Sequence, residues 1–361
     1  MGGQDKLRQL RDKIDALDLQ IQELINQRAA AAREVATVKL DEDKDAFFYR
    51  PEREAAILKQ VQKRNTGPMG DEDMARLFRE IMSACLALEQ PLKVAYLGPE
   101  GTFTQSAALK HFGHSILAVP LAAISDVFRD VGSGAAQYGV VPVENSTEGV
   151  INHTLDMFIQ SPLFICGEVS LRIHHHLLSM ESELSQIKRV FSHQQSLAQC
   201  RLWLDRNLPQ AEQITAGSNA EAARLARSEP RSAAIASEMA AELYQLKGLA
   251  RNIEDQPDNT TRFLVIGRQK ALPSGDDKTS FLCATRNVAG GLGALLKPLA
   301  EHGISMTRIE SRPSRQGNWD YVFFIDIEGH QDDPKIRKAL DDLQDKARML
   351  KILGSYPNAV L

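Results

Sequence analysis

DKLRQLRDKIDALDLQIQELINQRAAAAREVATVKL, residues 5–40, is the stretch on which the reading of the fold turns. Leu7, Leu10, Ile14, Leu17, Ile21 and Leu24 recur at alternating spacings of three and four, which lays one apolar seam along a helix. The next position in that register is Arg28, and Ala31, Val35 and Val38 then resume the apolar pattern. The arginine therefore sits inside the seam. A guanidinium buried without a counter-ion is costly, so the spacing points to an anionic ligand as the missing partner.

Arg11 and Lys39 share one heptad position beside the seam and, at 1.5 Å per residue, lie roughly 42 Å apart along the axis. No small metabolite spans that length. Either both are solvated surface charges, or one of them serves the Arg28 site from a second copy of the helix in antiparallel register, which predicts a homodimer.

The 361 residues allow two or three domains, and 43% hydrophobic with 25% charged residues describes an ordinary soluble globular chain. A net charge of −4 gives no reason to expect a nucleic-acid or membrane-surface partner. No apolar stretch suits a signal or a membrane span, so a cytoplasmic protein is expected. Cys85, Cys166, Cys200 and Cys283 form no Cys-x-x-Cys pair, and reduced, buried thiols are expected in place of a zinc site or disulfides. His174-His175-His176 is not expected to bind metal, because adjacent side chains of a strand face opposite ways.

Three regions follow along the chain. Residues 1–91 are helical in pattern: the long helix breaks at Asp41–Asp45, a second starts near Pro51, and Asp71 is read as the cap of a third that runs to Glu89. From 92 to 271 short apolar runs alternate with helical stretches, which predicts an α/β domain of mainly parallel strands, with Phe164 to Leu178 as one of them. Leu272–Lys278 reads as a polar linker that opens a last region, 272–361. Its strand, helix, strand, strand, helix and short final strand at Met349–Leu353 match a ferredoxin-like βαββαβ unit.

Four polar clusters sit at strand ends in the central region, where open α/β sheets place ligands. They are Gly98-Pro-Glu-Gly-Thr102-Phe-Thr104, Pro142-Val-Glu-Asn145-Ser146-Thr-Glu148-Gly149, Ser192-His-Gln-Gln195 with Gln199 a turn beyond, and Asn259-Thr-Thr261-Arg262-Phe263. Loop capping explains any one of them; four together favour a pocket for a small polar anion. No phosphate loop, no Gly-x-Ser-x-Gly and no metal-ligand spacing is present in the sequence, and no cofactor is expected.

GPEGTFTQSAA, VPVENSTEGVINHTLD, SHQQSLAQC and NTTRF, in this order, make the chain resemble the bifunctional chorismate mutase/prephenate dehydratase family over nearly its whole length. The resemblance implies an all-α mutase domain built as an intertwined dimer. It also implies a two-lobed α/β dehydratase domain like a type II periplasmic-binding-protein fold, and a C-terminal ACT regulatory domain. In the mutase it implies Arg11, Arg28, Lys39 and Arg53 as cations, Glu54 on a substrate hydroxyl, and Cys85 and Glu89 at positions that carry serine and glutamine in other members; Arg50 stands at a position that is an aspartate in some. An ionised Glu89 could not donate to the breaking ether oxygen, so Glu89 is expected to work protonated.

In the dehydratase the resemblance implies Thr261 as proton donor, with Thr102, Asn145, Ser146, Ser192, Gln199 and Arg262 holding prephenate. In the ACT domain it implies an L-phenylalanine site from Asn287, Gly290, Gly291, Leu292, Glu310, Ser311, Arg312 and Pro313, and hence feedback inhibition. The glycine turn Gly290-Gly-Leu-Gly293 departs from the usual Gly-Ala-Leu-Val. Two rivals stay open at this stage: an arogenate-preferring dehydratase, and a non-catalytic amino-acid-sensing protein with the same pocket.

Overall fold

The computed structural model describes residues 3–42, 47–285, 288–313 and 321–360. Helix α1 (Gly3–Glu42) is followed by α2 (Pro51–Arg64) and α3 (Asp71–Glu89). Pro51 opens α2, where a missing amide hydrogen costs nothing. Gly70, not Asp71, is the cap of α3; Asp71 begins its first turn and accepts from Asn65 Nδ2 at 2.7 Å. Leu58, Ala75 and Met82 form the core between α2 and α3. Along α1 only Ala36 is buried among the described residues, whereas the seam from Leu7 to Leu24 is 46% to 64% exposed. One chain alone leaves that ladder of leucines in water.

The central region has two lobes. The first contains β1 (Lys93–Leu97), α4 (Phe103–Phe112), β2 (Leu117–Leu121), α5 (Ile124–Ser133), β3 (Tyr138–Asn145), β4 (Gly149–Val150), α6 (Asn152–Gln160) and β5 (Phe164–Arg172). The chain then crosses into the second lobe: β6 (His176–Ser179), β7 (Arg189–Ser192), α7 (Gln194–Gln199), α8 (Arg201–Asn207), β8 (Glu212–Thr215), α9 (Asn219–Ser228), β9 (Ser232–Ala236), α10 (Glu238–Tyr244) and β10 (Lys247–Ala250). It returns as β11 (Thr260–Gly267), which completes the first sheet in the order β2-β1-β3-β11-β5, with β4 paired to β3. The second sheet runs β10-β6-β9-β7-β8.

Both sheets are mixed, which corrects the expectation of mainly parallel strands. The β1–β2, β1–β3, β7–β8 and β7–β9 pairs are parallel, but the returning β11 is antiparallel to both neighbours, and so are β6 and β10 to theirs. Phe164–Leu178 is likewise two strands in different sheets, and the histidine triplet lies at the crossing between lobes.

The last region adds β12 (Asp277–Ala284), α11 (Gly291–Glu301), β13 (Met306–Pro313), β14 (Tyr321–Glu328), α12 (Pro334–Lys346) and β15 (Met349–Pro357) in the order β13-β14-β12-β15, all antiparallel. This is the expected βαββαβ unit, with a final strand longer than the apolar run alone suggested. Residues 272–278 are not a slack linker. Asp277 is 5% exposed, starts β12, and takes hydrogen bonds from Ser274 and Gly275 that turn the chain.

The unit shares its core with the first lobe: Leu264 and Ile266 of β11 pack in one cluster with Leu282, Phe324 and Tyr356. At Gly354 a Cβ would stand 2.2 Å from the carbonyl oxygen of Ile165, so only glycine lets β15 approach β5 this closely. No helix among the described residues is long and apolar enough to cross a membrane.

Candidate active sites

Two cavities gather the residues read from the sequence. The first, about 300 Å³, lies where α1, α2 and α3 meet and is lined by Arg28 and Lys39 of α1, Arg50, Arg53 and Glu54 at the start of α2, and Cys85 and Glu89 near the end of α3. Ala32, Val35, Ile57, Met82 and Leu86 are among its apolar lining. Four cations on two walls of a half-apolar pocket, facing Glu89 on the third, form a cradle for a compact polyanion. Lys39 Nζ stands 5.4 Å over the Phe48 ring. Burial pushes the Glu89 carboxyl up, against the opposing pull of Lys39 and Arg28.

Glu54 is oriented from behind. Its Oε1 lies 3.0 Å from Arg79 Nε, an ion pair set too obliquely for a hydrogen bond. The same guanidinium donates to the carbonyls of Lys110 and His111 at the end of α4. Arg11 does not reach this cavity: it lies seventeen residues before Arg28, roughly 25 Å along the helix.

The second cavity, about 490 Å³, is the cleft between the two lobes. Thr102, Asn145, Gln199 and Thr261 line it, together with Glu148, His175, His193 and Asn219. No lysine or arginine does so among the described residues. Helix ends stand in the place of cations. Thr102, His193, Ser218 and Ser237 are the N-cap residues of α4, α7, α9 and α10, each capping through its side chain, and all four line the cleft. Four helix N-termini aimed at one space present free amides and partial positive charge to an anion.

A directional hydrogen-bond chain runs across the cleft wall. Asn145 Oδ1 accepts from the backbone N–H groups of Thr147 and Glu148 at 2.9 and 3.0 Å. Its Nδ2 must therefore donate, and it does so twice, to Thr261 Oγ1 at 2.7 Å and to Asn259 Oδ1 at 2.8 Å. Asn259 Nδ2 then donates to Gln199 Oε1 at 3.2 Å, and His175 Nε2 reaches that same oxygen at 2.8 Å. Thr261 thus accepts through its oxygen and keeps its own hydrogen for the cleft.

Three expected substrate contacts are corrected. Ser192 is fully buried behind the wall and holds Asn219 Oδ1 at 2.9 Å, so Asn219 takes the exposed place. Ser146 Oγ accepts from the Thr260 backbone at 2.9 Å and shapes the turn. Arg262, one residue from Thr261, faces the other side of β11 and pairs with Glu168 and Asp326 at 2.8 and 2.6 Å. His175 and Asn259 were missed as site residues, although Asn259 opens the NTTRF motif and His175 is the middle of the triplet.

In the C-terminal unit Gly290 (φ +79°) caps α11, and Gly291 and Leu292 begin that helix. Glu310, Ser311 and Pro313 lie on β13, an edge strand. Arg312 departs from its expected role: its Nη2 binds Asp156 of α6 at 2.9 Å, and on the same strand Arg308 Nε binds Glu144 at 2.8 Å. Asn287 lies outside the described residues. All four cysteines are buried free thiols, and no cluster of metal-binding side chains occurs among the described residues.

Fold and sites together define a multidomain enzyme: a cationic helical pocket, a two-lobed α/β anion cleft and a small βαββαβ regulatory unit. Family models for chorismate mutase type II match residues 10–90, for prephenate dehydratase residues 94–271, and for the ACT domain residues 280–345. The chain is 58% identical, over 100% of both chains, to the bifunctional chorismate mutase/prephenate dehydratase of Pseudomonas aeruginosa. Among solved structures it is similar to a prephenate dehydratase from Arthrobacter aurescens in complex with L-Phe, at 34% identity and a TM-score of 0.68 over 74% of this chain and 90% of that one. A structure titled as a novel type of quorum quenching acylase, GqqA, matches at 30% identity and a TM-score of 0.69, over 74% and 98%. The chain belongs to the bifunctional chorismate mutase/prephenate dehydratase family.

Proposed function

We propose that the helical pocket performs the Claisen rearrangement of chorismate as half of a homodimeric site. Chorismate becomes prephenate by a pericyclic shift with no acid, base or covalent intermediate, so the protein holds a dianion in its compact conformer and stabilises charge at the breaking ether oxygen. Arg28 and Arg53 hold carboxylates, Lys39 and protonated Glu89 donate to the ether oxygen, and Glu54 takes the ring hydroxyl. Cys85 fills the floor beside it. Arg11 arrives from the second copy. The exposed leucine ladder of α1 supports that assembly, since a partner helix along it buries what one chain leaves wet.

The interlobe cleft turns prephenate into phenylpyruvate. The observation that carries this reading is the convergence of four helix N-termini on a cleft that no lysine or arginine lines among the described residues. Amides bind the dianion, yet no guanidinium anchors the carboxylate that must depart as CO2, which avoids stabilising the ground state over the transition state. The electron pair of the ring-to-carboxylate bond becomes the new ring double bond as the carbon–oxygen bond breaks. The leaving hydroxide takes a proton at Thr261, which regains one from solvent. Thr102, Asn145 and Gln199 hold the substrate.

L-Phenylalanine binding at the glycine turn before α11 and at Glu310, Ser311 and Pro313 inhibits the enzyme through the shared core. The free buried thiols suit a cytoplasmic setting. A coupled assay tests the whole reading: chorismate is added and phenylpyruvate is followed by its absorbance in base, with and without phenylalanine. No phenylpyruvate, or no response to phenylalanine, would refute the corresponding half.

A further inference from the structure

His175 holds an unused acceptor at the wall of the dehydratase cleft. The hydrogen-bond chain described above fixes its tautomer from one end. Two backbone N–H groups anchor Asn145 Oδ1, so Asn145 donates to Asn259, Asn259 donates to Gln199, and Gln199 Oε1 can only accept from His175 Nε2. A neutral imidazole with its hydrogen on Nε2 has a bare lone pair on Nδ1. That nitrogen has no partner among the described residues, although the residue is only 1% exposed and lines the cleft. The Phe103 ring stands edge-on to the imidazole, with centroids 5.7 Å apart, and the His175 backbone N–H donates to Glu254 at 2.9 Å.

An orphaned buried acceptor calls for a donor from outside the protein. Prephenate offers very little of that kind. Its two carboxylates and its keto oxygen only accept, and the ring hydroxyl supplies its one O–H. We propose that His175 Nδ1 accepts the hydrogen of the substrate's ring hydroxyl and so turns the lone pairs of that oxygen toward the Thr261 hydroxyl. Thr261 and His175 are then the two ends of one chain through Asn145, Asn259 and Gln199. One end gives the leaving oxygen its second hydrogen, and the other keeps hold of the first as the oxygen departs as water. His175 remains neutral throughout, as its burial favours.

Two substitutions separate this role from a structural one. His175→Gln places an amide near Nε2, preserving donation to Gln199 and removing the acceptor; His175→Asn places an amide oxygen near Nδ1 and gives up the Gln199 contact. The expected result is a fall of about 10- to 100-fold in dehydratase kcat for His175→Gln and a smaller loss for His175→Asn. Mutase turnover stays at the parent value in both. Inhibition by phenylpyruvate, which has no ring hydroxyl, is expected to stay within about twofold of the parent in His175→Gln, which also reports that the cleft is folded.

The reverse order of the two variants, parental turnover in His175→Gln, or phenylpyruvate affinity falling in step with kcat would overturn the proposal. If His175→Gln loses the fold of the cleft, His175→Asn decides: a loss as large as about 100-fold overturns the assignment, and a smaller one supports it. The inference rests on the cleft being the dehydratase site; failure of that reading would show in the parent enzyme, as absence of phenylpyruvate from prephenate.

Discussion

Thr261 and Arg262 are neighbours on β11 and serve different domains. Thr261 Oγ1 takes a hydrogen bond from Asn145 inside the cleft, while Arg262 reaches Asp326 of β14 at 2.6 Å and Glu168 of β5 at 2.8 Å. Lys278 of β12 joins the same Glu168 at 2.6 Å, and Tyr356 accepts from Arg262 at 3.0 Å. Any shift of the regulatory sheet against the first lobe therefore pulls on the residue next to the expected proton donor.

Replacing Arg262 should expose this coupling. Arg262→Leu leaves Glu168 and Asp326 less compensated in a mostly buried site, where breaking such a pair costs about 3–5 kcal/mol. A lower melting temperature is expected, together with a phenylalanine dose–response that is flattened or shifted to higher concentration, while mutase turnover stays near the parent. Melting curves and inhibition curves measured on the same preparation check it; an unchanged melting temperature with normal inhibition would remove Arg262 from the coupling.

Thr261→Ala should abolish most dehydratase turnover, by about 10²- to 10⁴-fold if the hydroxyl is the donor at the leaving oxygen. Thr261→Ser should recover a large part of it, because the oxygen can still accept from Asn145. Chorismate consumption should be untouched in both. Near-parent phenylpyruvate production by Thr261→Ala would show that the proton comes from elsewhere.

Glu89 sets the expected pH response of the mutase. Burial raises its pKa, and Lys39 and Arg28 oppose that rise. The carboxyl donates only while protonated, so activity is full below the raised folded-state pKa and falls as pH climbs through it. Glu89→Gln carries a permanent donor and should give a flat profile over that range, with higher activity than the parent on the alkaline side. Rates of chorismate loss across pH for both proteins decide; superimposable profiles would sink the role.

How much of this was legible depended on whether one local period decided the matter. The seam of α1 was readable because helix spacing repeats over six leucine and isoleucine positions, and Arg28 stood out against it. The cleft was readable as four polar clusters because strand ends in such sheets converge. The period of two also contained a warning that Thr261 and Arg262 cannot share a face. It did not extend to His174–His176, where the chain lies at the lobe crossing and His175 lines the cleft while His174 pairs with Glu254 at 2.8 Å. Arg312 and Ser192 were beyond reach from sequence: what they touch, Asp156 and Asn219, is far away in the chain.

The length of α1 yields the last prediction. Arg11 stands far from the cavity that Arg28 and Lys39 line, and the apolar ladder between them is exposed in one chain. If the second copy supplies Arg11, then Arg11→Ala and Arg28→Ala each lose mutase activity, but a heterodimer of the two holds one site carrying both lesions and one carrying neither. Mixing the two inactive variants under conditions that let subunits exchange should restore roughly a quarter of the parent mutase activity, since half of the dimers are then mixed and each has one intact site. Dehydratase turnover, which uses no residue of α1, should be parental in both variants and in the mixture. Mixtures no more active than their components, with exchange verified by a size or affinity tag, would mean that each chain builds its mutase site alone.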